Sequence, residues 1–156
     1  MTTTPNKATS RPNKPLKSAR RRAREFAVQG IYQWLISGND YGAIDAQIRG
    51  LDGFKKADKT HYESMLHGVL QQASHIDALL APHVDRKTND LSPIEHAILM
   101  LGVYEMEHCL DIPYRVIINE AIELTKTFGG TDGFKYVNGV LDKAATILRT
   151  TEIEPQ

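Results

Sequence analysis

One stretch in the middle of the chain restricts its fold more than any other. Ser92-Pro93-Ile94-Glu95 sets a serine at an N-cap, a proline at the first helical position and a glutamate where it can complete a capping box. Behind it, AILMLGVYEM (97–106) is apolar on nearly every side of a helix. A helix with no polar face belongs in the middle of a bundle, so the rest of the chain must supply amphipathic partners to enclose it.

Those partners are helices too. From about Ser18 to Ser37, Ala23, Phe26, Ala27, Gly30, Ile31 and Trp34 fall on one face at roughly 100° per residue, and Gly38-Asn39-Asp40 stops the pattern. A short helix is expected near 43–50, ended by Gly50. A longer one is expected from about Asp58 to Leu80, with Tyr62, Met65, Leu66, Val69, Ala73, Ile76 and Leu80 inside and Pro82 blocking its continuation. Pro113 opens another through Phe128, with Ile117, Ala121, Leu124 and Phe128 facing in. Gly129-Gly130 is expected to end it with left-handed backbone. Thr131 or Asp132 then caps a last helix whose core face is Phe134, Val137, Leu141, Ala144 and Leu148. Nothing alternates like a strand and nothing repeats, so the predicted fold class is all-α, with about six to seven helices.

At 156 residues, 41% hydrophobic and 24% charged, the chain suits one globular domain. No run approaches the roughly eighteen apolar residues of a membrane span, and no apolar stretch follows the N-terminus as in a secretory signal. Cys109 is the only cysteine, which excludes an internal disulfide and a multi-cysteine zinc site. A cytoplasmic protein is expected. The net charge of zero hides an asymmetry: residues 1–24 hold Lys7, Arg11, Lys14, Lys17, Arg20, Arg21, Arg22 and Arg24 and no acid, so this segment is +8 and the remainder −8. A basic arm for a polyanion on an acidic body is the natural reading. Residues 1–17, with three prolines and few apolar side chains, read as a disordered basic tail, 18–150 as the helical domain and 151–156 as a flexible C-terminal tail.

Candidate binding residues follow from that asymmetry. RRRAR (20–24) opens the first helix, where positive charge opposes the macrodipole at roughly 0.3–1 kcal/mol per charge, a cost that a solvated helix end would avoid. Planar, permanently charged guanidinium groups suit bidentate phosphate contacts, which points to RNA or another nucleic acid. Arg21, Glu25, Val28 and Tyr32 share a face almost opposite Phe26, Gly30 and Trp34, so Tyr32 is expected to be an exposed ring on which a base could stack. The same position equally suits a ring against another helix or a protein partner. Lys135, Gly139 and Lys143 point away from the inward face of the last helix, flanked by Tyr136 and Asn138. Signals for catalysis are poor: no two of the six histidines are four residues apart, and there is no GxSxG, dinucleotide fingerprint or carboxylate cluster. Neither an enzyme nor a cofactor-binding or metal-binding protein is expected.

Taken together, RRRAREFAVQGIYQW (20–34), LSPIEHAILMLGVYEM (91–106) and DIPYRVIINEAIELTKTFGGTDGFKYVNGVLDK (111–143) resemble the NusB family of bacterial transcription antitermination factors. The likeness runs from Ala19 to Arg149 and is most specific in INEAIELTKTFG and KYVNGVLDK, while residues 38–60 are not distinctive and the tail 1–17 exceeds the family pattern. It implies an all-helical fold of two small packed bundles. It also implies binding to the boxA element of ribosomal RNA leader transcripts beside NusE, a small-subunit ribosomal protein, within an RNA polymerase antitermination complex. Carried onto matching positions, it nominates Arg20, Arg21, Arg22, Arg24, Tyr32, Lys135, Tyr136 and Asn138 for RNA. Glu95 and Glu105 are suggested as groups that hold the protein partner. Two alternatives compete. One is the RNA-recruiting module of a ribosomal RNA methyltransferase, against which the end of the chain at Gln156 leaves no cofactor domain. The other is a homodimer that masks the RNA site.

Overall fold

The computed structural model describes residues 17–129 and 132–153 and, among them, contains helices and no strand. Eight α-helices follow in order: α1 (Ala19–Ser37), α2 (Tyr41–Arg49), α3 (Lys59–Gln71), α4 (Ala73–Leu80), α5 (Pro93–His108), α6 (Tyr114–Phe128), α7 (Gly133–Leu148) and the single turn α8 (Thr150–Ile153). Short 3-10 turns lie at Phe54–Lys56, Ala81–His83 and Thr88–Asp90. The helices form two small bundles, α1–α3 and α4–α7, and α5 packs against α1, α3, α4, α6 and α7. Its unbroken burial from His96 to Met106 is what a helix without a polar face requires. Ile98, Leu99, Met100, Leu101, Val103 and Met106 are each at most 1% exposed, and burying each contributes roughly 1.5–3 kcal/mol.

The ends of the helices show how the chain is cut into these pieces. Ser18 Oγ accepts the Arg21 N–H at 3.0 Å to start α1, and Gly38, left-handed at φ 73°, closes it by donating to Trp34 O at 2.9 Å. Ser92 caps α5 through the Glu95 N–H at 3.4 Å, with Pro93 at the first position. Only this half of the expected capping box forms, because the Glu95 carboxylate sits over Gly133 at the start of α7, where a Cβ would meet it at 2.6 Å. The expected helix from Asp58 to Leu80 is two helices. The chain bends at Gln72 (φ −110°, ψ 21°), so α3 packs on α1 while α4 turns onto α5 and α7.

Three further expectations change. Gly129 is extended (φ −101°, ψ −170°) rather than left-handed, and its N–H closes α6 on Thr125 O. Asp132 precedes α7 without a side-chain cap, and the alternative cap Thr131 lies outside the described residues, as does Gly130. Thr150–Ile153 form a helical turn instead of a free tail, because Arg149 is buried and its guanidinium donates to the carbonyls of Met106, Cys109 and Ile112 and to Glu152. That side chain satisfies carbonyls at and beyond the end of α5, which have no partner within the helix. Most of the basic tail, residues 1–16, and residues 154–156 lie outside the described residues.

Candidate nucleic-acid interface

The arginine run does not present one face. Helical geometry turns successive side chains by about 100°, so neighbours in sequence diverge. Arg21 reaches α6, where its Nε and Nη2 donate to the two carboxylate oxygens of Glu120 at 3.0 and 2.8 Å. Arg20 and Arg22 turn toward the 50–58 connection: Arg20 Nε lies 3.5 Å from Asp58, and an Arg22 guanidinium nitrogen lies 3.9 Å from where a Cβ on Gly53 would stand. Arg22 has no ion-pair partner among the described residues and keeps part of its surface. Lys17 is exposed and pairs with Glu25 at 2.9 Å.

Arg24 points into the protein. It is 3% exposed, and its guanidinium donates to both oxygens of Glu105 on α5, at 2.9 Å from Nε and 3.0 Å from Nη2. Glu105 is 1% exposed and also meets His61 Nε2 on α3 at 3.1 Å. Burial pushes the Glu105 carboxyl up, and the hydrogen bonds from His61 and Arg24 outweigh it, leaving its pKa below the usual carboxylate range. These groups join α1, α3 and α5 in the centre of the molecule. Arg24, expected to contact RNA, and Glu105, expected to hold a partner, are therefore core residues with no surface to offer. The reason is that α1 is enclosed by α2, α3 and α5 and touches α6. Its buried arc is wider than one stripe and takes in Val28, fully buried although expected on the exposed face with Tyr32.

Tyr32 is 36% exposed and forms a wall of an open groove of about 570 Å³ between α1, α5 and α6, with Gln29, Gln33, Ser92, Pro93, Ile94 and Phe128. No charged side chain lines it. Glu95, half-buried, follows directly on Ile94 and Gly133 leads into α7. Lys135 is exposed on that helix, 4.0 Å from Asp132. Tyr136 is already occupied: its hydroxyl donates to Asp85 at 3.0 Å, and the Arg86 guanidinium lies 5.3 Å from its ring centroid. Arg86 first, then Tyr136, hold the exposed Asp85 carboxyl down at about 2. Asn138 sits apart from Lys135, in a shallow polar recess with Tyr114, Arg115, Asn119 and Asp142. Exposed Arg20 and half-buried Arg22 thus lie at the start of α1 and exposed Lys135 on α7, apart from the groove between α1, α5 and α6.

Reading the sequence missed the neighbours of Arg22. The segment FKKADK (54–59) packs beside α1 through Phe54, whose ring meets Phe26 edge-on at 5.3 Å and Tyr62 at 4.9 Å. This leaves Lys55 and Lys56 exposed. Three lysines in six residues were the available signal. Among the described residues no cluster of three or more His, Cys, Asp or Glu side chains could hold a metal ion, and no helix is long and apolar enough to cross a membrane.

Comparison with known proteins gives a consistent answer. The family model described as the NusB family matches residues 21–146, from the arginine run into α7. The transcription antitermination protein NusB of Ralstonia pickettii (strain 12J) is 54% identical over 139 residues, which cover 89% of this chain and 90% of that protein. A solved structure of T. maritima NusB is similar with a TM-score of 0.72 at 32% identity, covering 84% of this chain and 93% of that one. Another, of antitermination factors NusB and NusE in complex with dsRNA, has a TM-score of 0.73 over 83% of this chain and 97% of that one. At 22% identity, that second likeness concerns the fold.

Proposed function

This chain belongs to the NusB family, and from that premise we propose that it is a transcription antitermination factor of the cytoplasm. It binds boxA-type single-stranded RNA of ribosomal RNA leaders together with the ribosomal protein NusE, and this assembly keeps RNA polymerase elongating. The match to an antitermination protein along nine-tenths of that protein's length carries the reading, and supports it over the methyltransferase-associated module. Nothing in this role calls for catalysis: the chain contributes surfaces.

Two surfaces divide the work. Arg20, Arg21, Arg22 and Lys135 supply phosphate contacts, with Arg21 exchanging Glu120 for a phosphate oxygen. The uncharged groove at Tyr32 has nothing to hold a phosphate and fits an apolar side chain of the protein partner, to which Glu95, next in sequence to Ile94 of its lining, is also assigned. Tyr32 is accordingly assigned to the partner, and Tyr136 and Asn138 to secondary RNA contacts, Tyr136 once Arg86 has moved off its ring. Anisotropy of a labelled boxA-type RNA and a scrambled control, titrated with wild type and with Arg20→Ala/Arg22→Ala, each with and without NusE, tests the reading. Preference for boxA that tightens with NusE and weakens in the variant is expected. Equal binding of both RNAs by both proteins would contradict it.

A further inference from the structure

The basic surface does not stop at α1. The 3-10 turn Phe54–Lys56 is packed and hydrogen-bonded against that helix. Phe54 is 5% exposed between Phe26 and Tyr62, and the N–H groups of Lys56 and Ala57 donate to Gly53 O and Phe54 O, each at 3.0 Å. Where the segment ends, the Asp58 N–H donates to Ala19 O at 3.0 Å, fastening it to the first turn of α1. Gly53, left-handed at φ 84°, lets the chain turn beneath the Arg22 guanidinium. Lys59 is engaged, with Nζ over the Phe54 ring at 5.9 Å and donating to Lys55 O at 3.4 Å. Lys55 and Lys56 are exposed and, like Arg22, have no ion-pair partner among the described residues.

Unpaired cations on a fixed turn beside Arg22 carry little entropy cost for ordering the backbone when a polyanion arrives. Resting on the RNA reading above, we infer that Lys55 and Lys56 form a second phosphate-contacting lobe, which carries single-stranded RNA past the segment held by the arginines of α1. Its chemistry is electrostatic and indifferent to base sequence. It lengthens the RNA footprint without altering which sequence is preferred.

The test uses the full chain, a short boxA-type RNA, and the same RNA extended by a uridine stretch at its 5′ or its 3′ end. In wild type, one of the two extensions binds more tightly than the short RNA. Two added phosphate contacts steepen the log–log salt slope by about 1.4, so between about 50 and 200 mM salt the extended RNA loses about sevenfold more affinity than the short one. Lys55→Ala/Lys56→Ala abolishes that gain and the added slope, and leaves binding of the short RNA and the urea midpoint unchanged. A gain that survives in the double variant overturns the lobe, as does an extension that adds nothing in wild type while the short RNA still binds. If wild type binds none of the three RNAs, the lobe falls together with the RNA reading itself.

Discussion

Arg22 and Arg24 stand two residues apart on the same helix and lie in opposite environments. Arg24 is withdrawn from water among Glu105, His61 and, at 3.7 Å, Glu120, while Arg22 is half-buried and keeps part of its surface in solvent beside a glycine turn. The first region is a closed ionic layer between α1, α3 and α5, and the second an open basic rim. Identical side chains thus do unrelated work, and what separates them is the buried arc of α1. A charge inside that arc must find a partner, because an unpaired buried charge costs several kcal/mol. One on the rim stays available to an external anion. A basic run therefore overstates the charge that a surface can offer.

Breaking the closed layer has the largest expected effect. Arg24→Met strands the Glu105 carboxylate and lowers stability by about 3–5 kcal/mol in urea unfolding, whereas Arg24→Met/Glu105→Leu recovers most of the loss. Next comes the packing that brings α3 and α5 together. A Cβ at Gly68 would run into the Tyr104 ring and hydroxyl, so Gly68→Ala costs about 1–3 kcal/mol by the same assay. Acid probes the layer more gently. The folded pKa of Glu105 lies below its unfolded value, so its contribution is present above the unfolded pKa, about 4.3, and is lost as pH falls through the folded one. Urea midpoints should decline as pH is lowered below that value, less steeply in Glu105→Gln. The smallest effect belongs to the rim: Arg21→Ala gives up a partly exposed pair with Glu120 and costs under about 1 kcal/mol, after discounting for solvent screening.

The sequence carried the architecture in its caps and periodicity. Ser18, Gly38 and Ser92 act as punctuation where expected, and the all-apolar segment is the central helix. The division between α3 and α4 was not legible, since no Gly or Pro stands at Gln72 and the bend serves packing against different neighbours. Exposure on α1 was only half legible. Periodicity located the face toward α3, with Gly30 so close that a Cβ would meet Leu66 at 2.8 Å, but could not reveal that α5 covers Arg24 and Val28 as well. The partner of Arg24 is 81 residues away in sequence, and no local pattern announces it. Lys55 and Lys56 escaped notice because their value comes from the packing of their turn against α1, a tertiary fact.

The separation of the two arginines is tested most directly by measuring RNA affinity and urea stability on the same pair of variants. Arg22→Ala should weaken binding of a boxA-type RNA and reduce the salt slope by about 0.7, with an unchanged unfolding midpoint. Arg24→Met should shift the midpoint sharply and, under conditions where it remains folded, bind the RNA as wild type does. The opposite pattern, with Arg24→Met losing RNA affinity while folded and Arg22→Ala binding normally, would contradict the division of the arginine run into a buried layer and a binding rim.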